Sequence, residues 1–427
     1  MIITGVILLL AFVATVVLII RGQSPIVMLL LLAIVWSAVA GIGVNDIQAK
    51  VLQGGGVAYA SAVIIIVFGS WFAQVLIQTG IAETVIRAAA ELAGDRPVVT
   101  TMVISTVIAL LFTSMYGVGA AIAIGVIALP IMMAQGVPPR VAAPAFTMAI
   151  GAGTFVNLVN FGIMQRLFPG IVFGGVALAY WIIGGIVYLM FAWLLVVVNM
   201  RRVGVRHSSG VETATTVARP RTPLYTFIVP IVPVLMIAVV KWEIIPTFLV
   251  SIVLALALTA PSSGRGLQAS INLFNKAFYD AFPDIATIAA LWTICGMIIV
   301  AGQTPQVVGA LKPLFLPILP HTTLQAAILF GLLGGVCNIY RGPLEVIGTG
   351  AAMLAIVLSA NLLAVPYLYS LWTAPNCMSG SIDPTNSWTL WTIGYTRISH
   401  GEFLKTALPY GCAMIAVNSA IVYFMMG

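Results

Sequence analysis

One arginine interrupts the apolar stretch from Thr323 to Asn361, in Asn338-Ile339-Tyr340-Arg341-Gly342-Pro343. A guanidinium is a planar fork of donors suited to a carboxylate. A cation at membrane depth costs roughly 2.5–3.5 kcal/mol on insertion scales, so such a residue is a functional candidate by default. Arg341 is therefore the first candidate for holding an anionic group. Two structural roles compete with that one: a loop arginine reaching an interface, or an ion pair with Glu345 four residues on. A matching interruption, Ser114-Met115-Tyr116-Gly117-Val118-Gly119, divides the stretch from Val98 to Gln135. Ser114, Tyr116, Asn338 and Tyr340 offer hydroxyl and amide groups at the two interruptions. The tyrosines can equally be packing or interfacial aromatics.

A second pair of weak points follows each tyrosine by about 36 residues: Gly151-Ala152-Gly153-Thr154-Phe155-Val156-Asn157 and Pro375-Asn376-Cys377-Met378-Ser379-Gly380-Ser381. Asn157, Asn160, Asn376 and Ser379 lie on or beside these unwinding sequences, with Thr385 and Asn386 just beyond. Their side chains, with freed backbone groups, can coordinate a substrate carboxylate or Na+, and half-helix N-termini favour anions. They can also do no more than satisfy broken backbone. Asp383 is the first candidate for carrying a coupling proton or sodium ion, because a dry site disfavours an ionised carboxylate. Its structural alternative is a helix cap beside Pro384. Glu345 is the second choice, and Asn160, Thr385 and Asn386 complete the coupling-ion set. His207, His321 and His400 fall in loops and are not expected to bind metal or relay protons. The chain has no HExxH, no G-x-S-x-G with partners and no Walker A sequence. The expectation is a protein with no catalytic residues, no cofactor and no metal beyond a possible Na+.

The elements that must position these groups are spans. Of 427 residues 61% are hydrophobic and 7% charged, with a mean hydropathy of +1.14; soluble domains carry about 25% charged residues. The length accommodates roughly ten segments of about 20 residues. The expected fold class is an all-α integral membrane protein of two inverted repeats. Each repeat has about five transmembrane helices and one re-entrant hairpin, with discontinuous helices at the site. The repeats are residues 1–205 and 223–427, joined by a polar cytoplasmic linker, 206–222. Leu267 to Phe282 reads as an interfacial amphipathic stretch, with Asp280 and Asp284 structural. The four cysteines show no CxxC spacing and read as free thiols.

The net charge of +7 does not indicate nucleic acid, because the basic residues are spread through short loops. With the linker inside, 13 of the 18 basic residues fall in inside loops. Four (Lys50, Arg166, Lys241 and Lys312) fall outside. That bias predicts a multi-pass protein of the cytoplasmic (inner) membrane with both termini outside.

Five spans plus a hairpin, repeated inverted, resembles the ion-transporter superfamily of citrate and gluconate permeases, dicarboxylate–sodium symporters and tripartite acid transporter subunits. The local carriers are Tyr340-Arg341-Gly342-Pro343-Leu344 and Asp383-Pro384-Thr385-Asn386-Ser387-Trp388-Thr389-Leu390-Trp391. These look most like gluconate/citrate–proton symporter sequences. The resemblance implies an elevator mechanism, usually as a homodimer in the lipid bilayer. It implies H+ or Na+ coupling, with substrate held at the hairpin tips and unwound helices. The Ser-Asn-Thr tip motif of dicarboxylate–sodium symporters is absent, which tilts the coupling toward protons. The expected function is secondary active transport of a small organic anion such as a sugar acid, a dicarboxylate or a tricarboxylate. The rivals are a sodium/proton antiporter and the membrane subunit of a multi-component transporter.

Overall fold

The computed structural model describes residues 2–203, 222–346 and 349–427. All regular secondary structure among the described residues is helical. The first half opens with α1 (Ile2–Ile20) and α2 (Pro25–Val39). A long helical run, 44–78, follows: α3 (Val44–Asp46), a π-helical segment (Ile47–Gly54), α4 (Gly55–Ala58) and α5 (Ala60–Gln78). Helix α6 (Ile81–Ala93) leads to a hairpin of α7 (Pro97–Leu111) and α8 (Val118–Ala134). A broken helix, α9 (Pro139–Thr154) and α10 (Leu158–Leu167), and the long α11 (Gly175–Val203) complete the half.

The second half repeats that order. It begins with irregular helix: a 3-10 turn (Leu224–Ile228), α12 (Val232–Leu235) and a π-helical segment (Met236–Val240). Then come α13 (Ile244–Ser263), the long α14 (Leu267–Gln303) and the connecting α15 (Pro305–Phe315). The hairpin is α16 (Thr323–Leu333) and α17 (Gly350–Ala360), the broken helix α18 (Val365–Ile382) and α19 (Ser387–Thr396), and the last helix α20 (His400–Met426).

Local chemistry sets the boundaries. Proline occupies the first turn of α2, α7, α9, α15 and α18, where its missing N–H removes nothing from the helix. Thr322/Gln325 and Ser399/Glu402 form capping boxes at α16 and α20. The hairpin arms are short. Eleven residues in α16 and in α17 rise about 16 Å, roughly half of a 30 Å hydrocarbon core. The 15 and 17 residues of α7 and α8 rise about 22 and 26 Å. All four arms rise less than a full hydrocarbon core of about 30 Å.

Among the described residues five helices are long and apolar enough to cross, or seven if each bent pair counts as one. Pro25–Val39 has 15 residues. The expected span from Pro223 to Val240 never becomes one helix, because Pro230 and Pro233 remove backbone donors inside it. Leu267–Phe282 is continuous with the span that follows it in α14, with a 55° bend between Pro283 and Ile288. Its first limb is fastened to α5: Trp71 Nε1 donates to the Phe274 carbonyl at 3.1 Å, and Gln78 Nε2 donates to Asp280 Oδ2 at 2.9 Å. The 206–222 linker, apart from Thr222, lies outside the described residues.

The halves interlock. Helix α14 packs on α5 and α2, α15 packs on α1, and α9 crosses α18. Helices α11 and α20 pack against each other and against the broken helices α9 and α18 respectively. Helix α9 is buried without interruption from Val141 to Thr154, and glycine permits its crossings. A Cβ on Gly151 would sit 2.6 Å from Ser381 Oγ, and one on Gly153 would sit 2.3 Å from the Ala109 carbonyl oxygen. Overpacking such a contact costs about 1–3 kcal/mol. Gly153→Val is therefore expected to lower the unfolding temperature in detergent by several degrees. Gly394→Ala in α19, whose Cβ meets nothing within 4 Å, should be neutral to slightly stabilising. Equal effects of the two variants would contradict the close crossing.

Candidate functional site

A helix that stops at membrane depth leaves backbone groups without water, and those groups need protein partners. At the first break Asn157 caps α10, its Oδ1 accepting from the Asn160 N–H at 3.0 Å. The same carboxamide donates from Nδ2 to the Phe112 and Met115 carbonyls at 2.7 and 2.8 Å. One side chain thus joins the broken helix to the first hairpin tip. Asn160 Nδ2 donates to the Thr154 carbonyl at 3.2 Å, closing the end of α9. Its Oδ1 accepts from Asn376 Nδ2 at 3.4 Å, which links the two broken helices.

The second tip is tighter. Tyr340 and Arg341 both have φ of +57°, a conformation costing roughly 1–2 kcal/mol per non-glycine residue. Surrounding bonds hold it. Asp383 Oδ2 accepts the Arg341 N–H at 3.0 Å, and Thr349 Oγ1 donates to the Arg341 carbonyl at 2.9 Å. Trp372 Nε1 donates to the Leu344 carbonyl at 2.7 Å, and Asn338 Nδ2 donates to the Pro375 carbonyl. The other Asp383 oxygen accepts from both the Thr385 N–H and its hydroxyl, each at 2.8 Å. Asp383 therefore does in the second half what Asn157 does in the first.

Both tips and both breaks face one cavity of about 70 Å³. Tyr116 comes from the first tip, and Arg341 and Glu345 from the second. Thr154 and Asn160 come from the first broken helix, and Asn376, Cys377, Asn386 and Trp388 from the second. Ile288 and Leu291 of α14 supply an apolar wall. The cavity's charged groups are the Arg341 guanidinium, 14% exposed, and the Glu345 carboxylate, 4% exposed, with Nη1 and Oε1 3.9 Å apart. Tyr116 stands edge-on to Trp388 with ring centres 6.3 Å apart. Trp388 Nε1 is buried with no hydrogen-bond partner among the described residues. The cavity thus presents a cation and carboxamides beside a single carboxylate.

Of the residues expected from the sequence, Arg341, Tyr116, Asn160, Asn376, Asn386 and Glu345 line this cavity. Ser114, Asn338, Asn157, Ser379 and Asp383 are buried behind it, and Thr385 serves Asp383. Tyr340 is 38% exposed and lies outside. Sequence reasoning did not single out Thr154, Cys377 or Trp388, although each lies inside a motif that it quoted. Ile288 and Leu291 carried no signal, since nothing distinguishes a cavity wall from any other apolar helix face.

No protein-family model matches the chain, and no curated protein matches it by sequence. Solved structures do match its fold. The YdaH transporter of Alcanivorax borkumensis superposes with a TM-score of 0.59 at 15% identity, covering 96% of this chain and 98% of that one. MtrF of Neisseria gonorrhoeae, described as illuminating a class of antimetabolite efflux pumps, gives 0.58 at 14% identity, over 96% and 94%. At these identities the likeness is one of fold.

Because Asp383 accepts three hydrogen bonds while fully buried, Asp383→Ala strands their donors. The expected cost is about 2–4 kcal/mol, read from chemical unfolding in detergent. Asp383→Asn keeps an acceptor oxygen and should cost less. Full stability in the alanine variant would show that the tip is held elsewhere.

Proposed function

We propose that this chain is a secondary transporter of a small organic anion of the carboxylate class. The observation that carries the reading is Arg341. It is a largely buried guanidinium at a cavity lined by both hairpin tips and both broken helices. Paired helix discontinuities in two halves of a membrane protein mark transporter binding sites, and a guanidinium fork suits a carboxylate. The names of the two similar structures, a transporter and an efflux pump, agree with transport. The cavity volume of about 70 Å³ holds about five waters. That suits an acid of a few carbons; a sugar acid or a tricarboxylate requires the hairpins to part.

Glu345 supplies the coupling in this proposal. A substrate carboxylate and Glu345 compete for one guanidinium, and two carboxylates at one site repel. A proton on Glu345 removes the repulsion, so anion and proton bind together. Since the bound state then holds the extra proton, affinity rises as pH falls. The hairpins and broken helices move as a unit against a frame of α1, α2, α5, α13 and α14, in a homodimer of the inner membrane. The two halves lie inverted in the bilayer, with both termini outside.

Thermal stabilisation of the purified protein by a panel of organic acids, at several pH values and with or without Na+, tests the reading. A ligand at 100 times its Kd stabilises by about 2.7 kcal/mol. One acid should shift the wild type, Arg341→Ala should abolish the shift, and Arg341→Lys should retain part of it. An undiminished shift in Arg341→Ala would sink the proposal. A response to Na+ or Li+ alone would favour the sodium/proton antiporter. The coupling has its own check: Glu345→Gln should still bind the acid but lose the pH dependence of its affinity. A pH dependence that survives Glu345→Gln moves the proton site elsewhere.

A further inference from the structure

Away from the central cavity, a second cation sits at an apolar groove. Helix α13, long and apolar enough to cross a membrane, ends at Gly264, with φ of +64°, and Arg265 follows directly. Its Nε donates to Ser263 Oγ at 2.6 Å and its Nη2 to Thr259 Oγ1 at 2.7 Å. Both partners are hydroxyls, and no carboxylate pairs with Arg265 among the described residues. A guanidinium carries five N–H donors, so these two bonds leave three of them for a ligand. The groove has a volume of about 550 Å³ and runs between α13 and α14. Val253, Ala257, Ile271 and Phe274 line it, with Ser270 and Asn275 beside them. Val253 and Ile271 are 57% and 44% exposed, so part of this wall is open on the outside of the protein.

We propose that this corner binds an anionic glycerophospholipid, its phosphodiester on Arg265 and an acyl chain along the groove. The charge pattern selects that occupant. A guanidinium forks onto two phosphate oxygens, and an apolar groove next to it accepts a chain. Basic pockets between spanning helices at the membrane surface take anionic headgroups. A zwitterionic lipid brings its own cation to the same place and gains less. A purely structural Arg265, capping the end of α13 through the two hydroxyls, would be indifferent to the headgroup.

The test uses the full chain in detergent, titrated with phosphatidylglycerol or phosphatidylcholine of identical acyl chains. Bound lipid is counted by native mass spectrometry, and unfolding temperature is followed in parallel. Wild type should prefer phosphatidylglycerol by about fivefold, the effect of one basic residue near the membrane surface. Arg265→Gln should lose that preference while still binding both lipids weakly, and Arg265→Lys should keep part of it. Val253→Trp, at an exposed position that leaves the core intact, should weaken both lipids by filling the groove. Equal affinities in wild type would overturn the proposal, as would a full preference in Arg265→Gln. So would unchanged lipid binding in Val253→Trp, or a groove covered by a second copy, seen as a wild-type dimer that Val253→Trp converts to monomer.

Discussion

A backbone that stops helical hydrogen bonding inside hydrocarbon has no water to turn to, and the rest of this structure follows from how that debt is met. The chain stops at two hairpin tips and two helix breaks. Each stop is repaired by another. Asn157 serves its own break and the first tip together, and Asp383 serves the second break and the second tip. Asn160 and Asn376 then tie one broken helix to the other. Four interruptions that would each be unstable alone form one connected cluster, and the central cavity lies where they meet.

Some of these polar residues only repair the chain, and others repair it and also line the cavity. Asn157, Asn338, Asp383 and Thr385 spend hydrogen-bonding capacity on backbone or on each other. Arg341, Glu345, Asn160, Asn376 and Asn386 reach the cavity surface. The repairs also differ in charge. A neutral carboxamide holds the first tip, and a carboxylate holds the second, whose two consecutive left-handed residues are the more strained. The strained backbone belongs to Arg341 itself, so the residue with the strongest case for binding an anion is also the one most closely constrained by its neighbours.

The frame around this cluster depends on shape more than on identity. The long α14 lies on α5, with Trp71 wedged edge-on against Phe274 and Phe278 at ring separations of 4.5 and 4.9 Å. Glycines at 151 and 153 let α9 approach its neighbours within contact distances that no side chain fits. Structures at 14–15% identity share the fold over nearly the whole chain. Segment lengths, breaks and crossings can persist while the residues that fill them change, because lipid selects for satisfied backbone and for apolar surface rather than for particular side chains.

Local composition was enough to read the membrane class, the hairpin arms and the two weak points per half from the sequence. Hydropathy and Gly, Pro, Ser and Asn clusters are properties of short windows, and lipid enforces them. The regularity of the spans was not legible at 224–240, where two prolines interrupt an otherwise apolar run, nor was the continuity of α14 through Pro283. The direction of each polar side chain was decided only in three dimensions. Tyr116 and Tyr340 occupy matching places in sequence, yet one is buried at the cavity and the other is exposed. Asp383 and Glu345 are both carboxylates beside a break, yet the first is turned onto backbone N–H groups and the second onto the guanidinium. Residue type says what a group can bond to; which partner takes its lone pairs depends on the backbone angles at 340 and 341 and on helices more than 30 residues away.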